Sequence, residues 1–322
     1  MMRSEEKEVN RADIQSGTEA EEVICWHQVL KEAQEDYGVD QSDAMLLLEY
    51  VSGYSRSEIR LRYHDAIPED MAEHFAELLE FRRQHIPVQY ITGQQNFMGF
   101  ELSVTPDVLI PRPETELLAE RVIHACEGKD VLDLCTGSGC IAIAVRCLGK
   151  AKSVSASDVS EAALAVAVKN AKAHGAEITF RQGDLFEAWL VHESGNPAAV
   201  NADGMSKEFI HLDSCETDCA GMKFDIIVSN PPYIPTAEIA GLMPEVREYE
   251  PHLALDGTED GLQFYRRIAA ECGKYLNPGG KVLLEIGCEQ GRDVMELFRR
   301  AGFANVQVYQ DYAGLDRIVE AY

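Results

Sequence analysis

Residues 229–234 read SNPPYI and directly follow the apolar run FDIIV at 224–228. A carboxamide, Asn230, precedes two prolines and a tyrosine. Proline cannot donate to a sheet ladder, so a strand must end here. The Asn230 side-chain oxygen and the Pro231 carbonyl both accept hydrogen bonds, and a planar –NH2 group brings two N–H donors. Held by both acceptors, with Pro232 fixing the backbone and Tyr233 packed on its flat face, such a nitrogen can be aimed at an electrophilic carbon. Positioning of this kind supplies a large share of the rate of a displacement. The plainer alternative is a strand terminator.

Three further stretches carry chemistry. VLDLCTGSGCIAIA, 131–144, reads as strand, turn and helix. Gly137 and Gly139 remove side chains where a ligand can lie against the backbone, so Cys135, Thr136, Gly137, Ser138 and Gly139 form a candidate ligand loop. The spacing also admits a dinucleotide reading, with Ala142 at the third glycine position. Asp133, on the strand itself, suits a cationic group better than a pyrophosphate. Asp158 ends the next strand, 25 residues on, where an acid can accept from two ribose hydroxyls; otherwise it is a helix cap. In QGDLF, 182–186, Asp184 can accept from an adenine amino group while Leu185 packs on the ring. Three successive strand ends thus carry acids that fit a positively charged, adenosine-bearing ligand, and S-adenosylmethionine matches best. With that cofactor, the SNPPYI quartet reads as a methyl-acceptor clamp for an amide or for an exocyclic base amine.

The elements that must position these groups follow from periodicity. Residues 1–20 are polar and charged, a frayed tail. Four helical patterns fill a small domain over 21–86, with no strand signal. Over 87–116, VQYITG and FELSV alternate and Gly93 and Gly99 punctuate, which predicts a β-hairpin linker. From 117 to 322 strands alternate with helices, which implies a parallel sheet covered on both faces. Only QDYAG separates the last two strands, too short for a parallel crossover, so they must pair antiparallel. The expected fold is therefore α/β: a seven-stranded, Rossmann-like sheet with an antiparallel last strand, behind a helical N-terminal domain. Residues 191–222 lack periodicity and read as a flexible insertion. His211, Cys215 and Cys219 lie there, but structural zinc normally needs four ligands, so no metal is expected.

Composition narrows the partners. The 322 residues carry 29 Lys+Arg against 55 Asp+Glu, a net charge of −26. A dominant phosphate-backbone interface, which depends on Lys and Arg displacing counterions, is disfavoured. The N-terminal stretch has no apolar core of a secretory signal, and no run approaches a membrane span. Nine cysteines, several in apolar runs, fit reduced thiols in a cytoplasmic protein.

The motifs PVQYITG (87–93), FMGFELSVTPDVLIPRPETE (97–116), SNPPYI, EPHLALDGTEDGLQFYRRI (250–268), LLEIGCEQ (283–290) and DYAGLDRIV (311–319) resemble the HemK/PrmC family. That family methylates a glutamine side-chain amide in peptide chain release factors. The resemblance runs from about residue 23 to 322. It implies a class I methyltransferase using S-adenosyl-L-methionine, with release factors as partners and no direct nucleic-acid or membrane partner; a monomer is expected. By resemblance, Cys135–Gly139 form the cofactor loop, although many relatives have glycine at the position of Cys135. Asp158 holds the ribose, Asp184 and Leu185 contact adenine, and Asn230–Tyr233 hold the glutamine amide. Pro111, Arg112, Pro113, Glu114 and Thr115 lie over the pocket, with Phe97 or Phe100 lining it. The competing activity is methylation of an adenine or cytosine amine in DNA or RNA, through the same clamp on a flipped base.

Overall fold

The computed structural model describes residues 24–190 and 222–322. The chain divides into two compact units, Met1–Glu80 and Phe81–Tyr322. The 191–222 insertion, with His211, Cys215 and Cys219, and the 1–20 tail lie almost wholly outside the described residues.

The first unit is helical. It contains α1 (Trp26–Glu35), α2 (Gln41–Ser52), α3 (Arg56–Leu61) and most of α4 (Glu69–Arg83). The boundaries follow capping chemistry. Asp40 accepts from the Ser42 and Asp43 amides and so caps α2, and Gly53, at φ +67°, ends it. Ser55 and Glu58 form a capping box for α3. Trp26, Leu47, Leu48, Ile59 and Phe75 are buried.

The start of the second unit departs from expectation. Val88–Thr92, read as a strand, is a short helix, α5. Pro87 precedes its first residue, and the Thr92 hydroxyl donates back to the Val88 carbonyl. Six residues of apolar alternation are too few to separate the two periods. The hairpin comes one element later, as β1 (Gln94–Phe97) paired antiparallel with β2 (Phe100–Ser103). Met98 and Gly99, both at positive φ, make the two-residue turn. Helix α6 (Pro113–Ala125) follows, with proline in the first turn and Glu116 accepting from the Met98 amide.

The remaining elements are β3 (Asp130–Leu134), α7 (Cys140–Leu148), β4 (Ser153–Asp158), α8 (Glu161–Ala173), β5 (Thr179–Gln182), β6 (Phe224–Ser229), α9 (Thr236–Ile239), α10 (Pro244–Tyr249), α11 (His252–Leu255), α12 (Gln263–Glu271), β7 (Leu276–Glu285), α13 (Gly291–Arg300), β8 (Val306–Gln310) and β9 (Asp316–Ala321). The sheet order is β5-β4-β3-β6-β7-β9-β8. Strands β3 to β7 pair in parallel, whereas β9 is antiparallel to both neighbours, as the five-residue connection requires.

Alternate strand residues feed opposite cores. Val131, Ile226, Val228 and Leu283 pack with α6, α7 and α8, while Leu132, Leu134, Ile227 and Leu284 pack with α12 and α13. With both faces covered, these strands are near-continuous apolar runs. Chain order reverses between β3 and β6, so a crevice opens at their carboxyl ends, where ligands bind in such sheets.

Candidate active site

Five neighbouring strands end in polar residues on that one edge: Asp184 just beyond β5, Asp158 on β4, the turn after β3, Asn230 after β6 and Glu285 on β7. A single cleft is lined by Thr136, Gly137, Asp158, Asp184 and Asn230, and by Thr115 of α6. Residues separated by up to 115 positions in sequence thus meet because the sheet is parallel.

The turn after β3 is held by its own carboxylates. Asp158 Oδ2 accepts from the Gly137 amide at 2.9 Å, and Oδ1 accepts from the Ser160 amide at 2.9 Å. Ser160, not Asp158, caps α8 through the Ala163 amide, so the cap reading of Asp158 does not hold. Burial pushes the Asp158 carboxyl above its ordinary range. Gly139 stands at φ +82°, and a Cβ there would lie 3.2 Å from that of Ala167. Glycine is therefore required both by the backbone and by the approach of α8. Buried Asn170 of α8 joins this turn to the hairpin, donating to the Ser138 and Ser103 carbonyls and accepting from the Ser103 amide.

Asp133 lies behind the cleft wall and is fully buried. The Thr136 hydroxyl donates to its Oδ2 at 2.6 Å, and Oδ1 has no hydrogen-bond partner among the described residues. Burial is the main cause that pushes its pKa up to about 7, with the Asp158 charge adding to it. Cys135 and Leu185 both adopt left-handed backbone, at φ +58° and +52°. Non-glycine residues are strained there, and such strain gathers at functional sites. Burial also raises the Cys135 thiol, which stays protonated.

Beyond β6, the Asn230 amide nitrogen donates to the Thr115 hydroxyl at 3.3 Å, and that hydroxyl donates to Glu285 Oε2 at 2.7 Å. Pro232 lines the cleft, while Pro231 is buried and Tyr233 lies behind, its hydroxyl 3.5 Å from Glu285 Oε1. Burial pushes the Glu285 pKa up to about 7. The loop after α11 clasps the quartet. The Ile234 amide donates to the Leu255 carbonyl, and the Gly257 amide to the Ile234 carbonyl. A Cβ on Gly257 would meet Tyr233 Cα at 2.7 Å, and one on Gly261 would overlap the Tyr233 carbonyl. Gln290 Nε2 donates to that same carbonyl at 2.9 Å. The glycines of LDGTEDG and the glutamine of IGCEQ are thus needed to grip the backbone of NPPY.

Not every expected site residue reaches the cleft. Pro111, Arg112, Thr115, Cys135, Ser138 and Leu185 do. Phe97 does not: it is 1% exposed and packs in the core beside Leu102 and Leu118. Phe100 instead stacks edge-on against His174, with centroids 5.2 Å apart. The register Phe97↔Phe100 places the pair at the hairpin turn, away from the strand ends. Pro113 is exposed, and Pro113 and Glu114 start α6 outside the cleft lining. Arg112 is held by Glu250 at 2.5 Å. Two cleft-side residues have no role from sequence reading: Arg267, whose Nη2 lies 2.9 Å from Asp184 Oδ2, and Glu285. An acid at the end of a fifth strand was the available signal for Glu285; nothing marked Arg267. Among the described residues no group of three or more His, Cys, Asp or Glu could hold a metal.

The sheet order, the glycine turn and the strand-end acids are those of a class I methyltransferase fold. Residues 25–93 match the family described as PrmC N-terminal domain, and residues 113–197 match the methyltransferase small domain. The release factor glutamine methyltransferase of Geobacter sulfurreducens is 41% identical over 253 residues, covering 78% of this chain and 78% of its own. That of Clostridium acetobutylicum is 35% identical over 304 residues, covering 93% of this chain and 96% of its own. That of Moorella thermoacetica is 37% identical over 286 residues, covering 87% and 90%. The chain belongs to the release factor glutamine methyltransferase family.

Proposed function

We propose that this chain methylates the side-chain amide nitrogen of the glutamine in the Gly-Gly-Gln motif of peptide chain release factors, with S-adenosylmethionine as methyl donor. The observation that carries the reading is the Asn230 carboxamide, with its amide end turned to Thr115 and its oxygen left to meet an incoming –NH2.

The residues in the cleft and behind its wall fit the cofactor. Asp133 Oδ1 is a buried acceptor lacking a partner, which suits a cationic group. The glycine turn leaves room for a ligand where a side chain would intrude. Asp158 and Asp184 are read as the acceptors for ribose hydroxyls and an adenine amine, each partnered oxygen retaining a second lone pair. When bound, the cofactor supplies an electrophilic methyl group on a sulfonium.

The chain's part is to orient. Asn230 Oδ1 and the Pro231 carbonyl accept the two amide N–H groups and direct the nitrogen toward the methyl. Amide resonance makes that nitrogen a poor nucleophile, so orientation and electrostatics must supply the gain. No strong base is needed before attack, because a methylated amide nitrogen readily sheds its extra proton. Burial holds Tyr233 well above its usual range, so it stays a neutral phenol. A nucleic-acid amine as acceptor is not favoured, since the net charge of −26 opposes a phosphate-binding groove.

The test is incubation of purified release factor with cofactor and protein, followed by peptide mass spectrometry. One methyl group on the Gly-Gly-Gln glutamine is expected, falling at least about a hundredfold in rate with Asn230→Ala. Unmodified release factor with the parent enzyme would refute the reading.

A further inference from the structure

Glu285 takes no part in the clamp as described, yet it is 1% exposed and sits two hydrogen bonds from Asn230. We propose that Glu285 is a positioning residue that sets which end of the Asn230 carboxamide faces the cleft, acting through the Thr115 hydroxyl. The inference rests on the reading of Asn230 as the acceptor clamp.

The logic is a count of protons. A hydroxyl has one hydrogen to donate, and an ionised carboxylate can only accept. With Glu285 charged, the Thr115 hydrogen is committed to Oε2, at 2.7 Å. Toward Asn230, Thr115 Oγ1 can then only accept, so it must meet the Nδ2 end, as it does at 3.3 Å. The carboxamide oxygen is thereby turned the other way, as a substrate –NH2 requires. Thr115 is 3% exposed, so bulk water does not compete for its lone pairs. A protonated Glu285 can donate to Thr115 instead. The Thr115 hydrogen is then released to point at Asn230, and the flipped carboxamide, which it favours, sets N–H against N–H.

The surroundings make that change accessible. Burial pushes Glu285 up to about 7, with Glu114 of α6 adding to it, while Thr115, Arg317 of β9 and the Tyr233 hydroxyl oppose it. Tyr265 of α12 donates to the Glu285 carbonyl and leaves the carboxylate untouched. Cys140 of α7 feels the charges of both Asp133 and Glu285.

Two measurements decide. In release factor methylation, kcat of the parent should rise with pH through an acid limb near 7. Glu285→Gln, which has no charge and can offer Thr115 either end, should lower kcat about tenfold to a hundredfold at pH 8, leave the KM for release factor within about threefold, and remove the limb. Thr115→Val should behave likewise, and Thr115→Ser, which keeps the hydroxyl, should recover most of the loss. Independently of substrate, the Asn230 side-chain amide resonance in 15N-asparagine-labelled protein, assigned with Asn230→Ala, should move with pH near 7 in the parent and not in Glu285→Gln. A limb common to parent and Glu285→Gln, or an Asn230 resonance that ignores pH in both, overturns the inference. A parent that leaves release factor unmethylated overturns the proposed function instead, and the resonance then decides the role of Glu285.

Discussion

Cofactor binding should release protons, and Asp133 should be their main source. Its carboxyl is fully buried and titrates at about 7, with one oxygen lacking a partner. A cationic ligand favours the charged form and draws the pKa back toward the ordinary range. The sign follows: a raised carboxylate holds its proton in the free protein and loses it on binding, so affinity rises with pH. If only the ionised form binds well, Kd is about tenfold weaker at pH 6 than at pH 8, and about half a proton leaves per site at pH 7. Asp158, also raised by burial, contributes in the same direction. Titration calorimetry with S-adenosylmethionine in buffers of different ionisation enthalpy measures both quantities. Asp133→Asn keeps the shape and removes the charge. It should flatten most of the slope and weaken binding at pH 8 by the worth of a charge-assisted hydrogen bond, about 1.5–3 kcal/mol, or roughly tenfold to a hundredfold. A Kd that is flat from pH 6 to 8, or a slope unchanged in Asp133→Asn, refutes the reasoning.

Other expectations concern the frame of the site. Gly139→Ala imposes a left-handed alanine and a contact 3.2 Å from Ala167 Cβ, together about 2–4 kcal/mol of stability, read as a lower denaturant midpoint with an unchanged slope. Arg112→Ala strands Glu250, whose side chain is 1% exposed and whose Oε2 already lacks a partner. The loss should be about 3–5 kcal/mol at pH 8 and smaller as the pH falls, because Glu250, raised by burial, takes up a proton more readily than an ordinary carboxylate. Glu285 titrates near 4.5 when unfolded and about 7 when folded. Its contribution therefore favours the folded state at low pH and is lost as pH rises through that window, up to ~3 kcal/mol, so Glu285→Gln should flatten that part of the pH–stability curve.

The chemistry was more legible than its support. Each strand-end motif announces itself locally, because a proline, a paired glycine or an acid after an apolar run has few other uses. Asn230, Asp158 and Asp184 accordingly fall on one cleft edge. The sheet was legible for a related reason: strands buried on both faces are continuous apolar runs, and the last connection is too short to cross over. Short segments misled. Val88–Thr92 has too few residues to fix its period, and tertiary context makes it helical. Phe97 and Phe100 looked like pocket aromatics, but the turn at Met98–Gly99 leaves one in the core and the other on His174. Left-handed Cys135 and Leu185 carry no local signature, since neither residue type prefers that conformation.

What could not be read at all is the link between distant segments. Thr115 and Glu285 are 170 residues apart and share a 2.7 Å hydrogen bond; Arg267 and Asp184 are joined across another long interval. These contacts exist because the parallel strands bring their carboxyl ends together. On one side Asp133 stands behind the glycine turn, and on the other Glu285 stands behind Asn230. Both carboxyls are pushed to about 7 by burial. Neither is exposed to solvent, so Asp133 answers to the Thr136 hydroxyl and the Asp158 charge, and Glu285 to Thr115, Arg317 and Glu114.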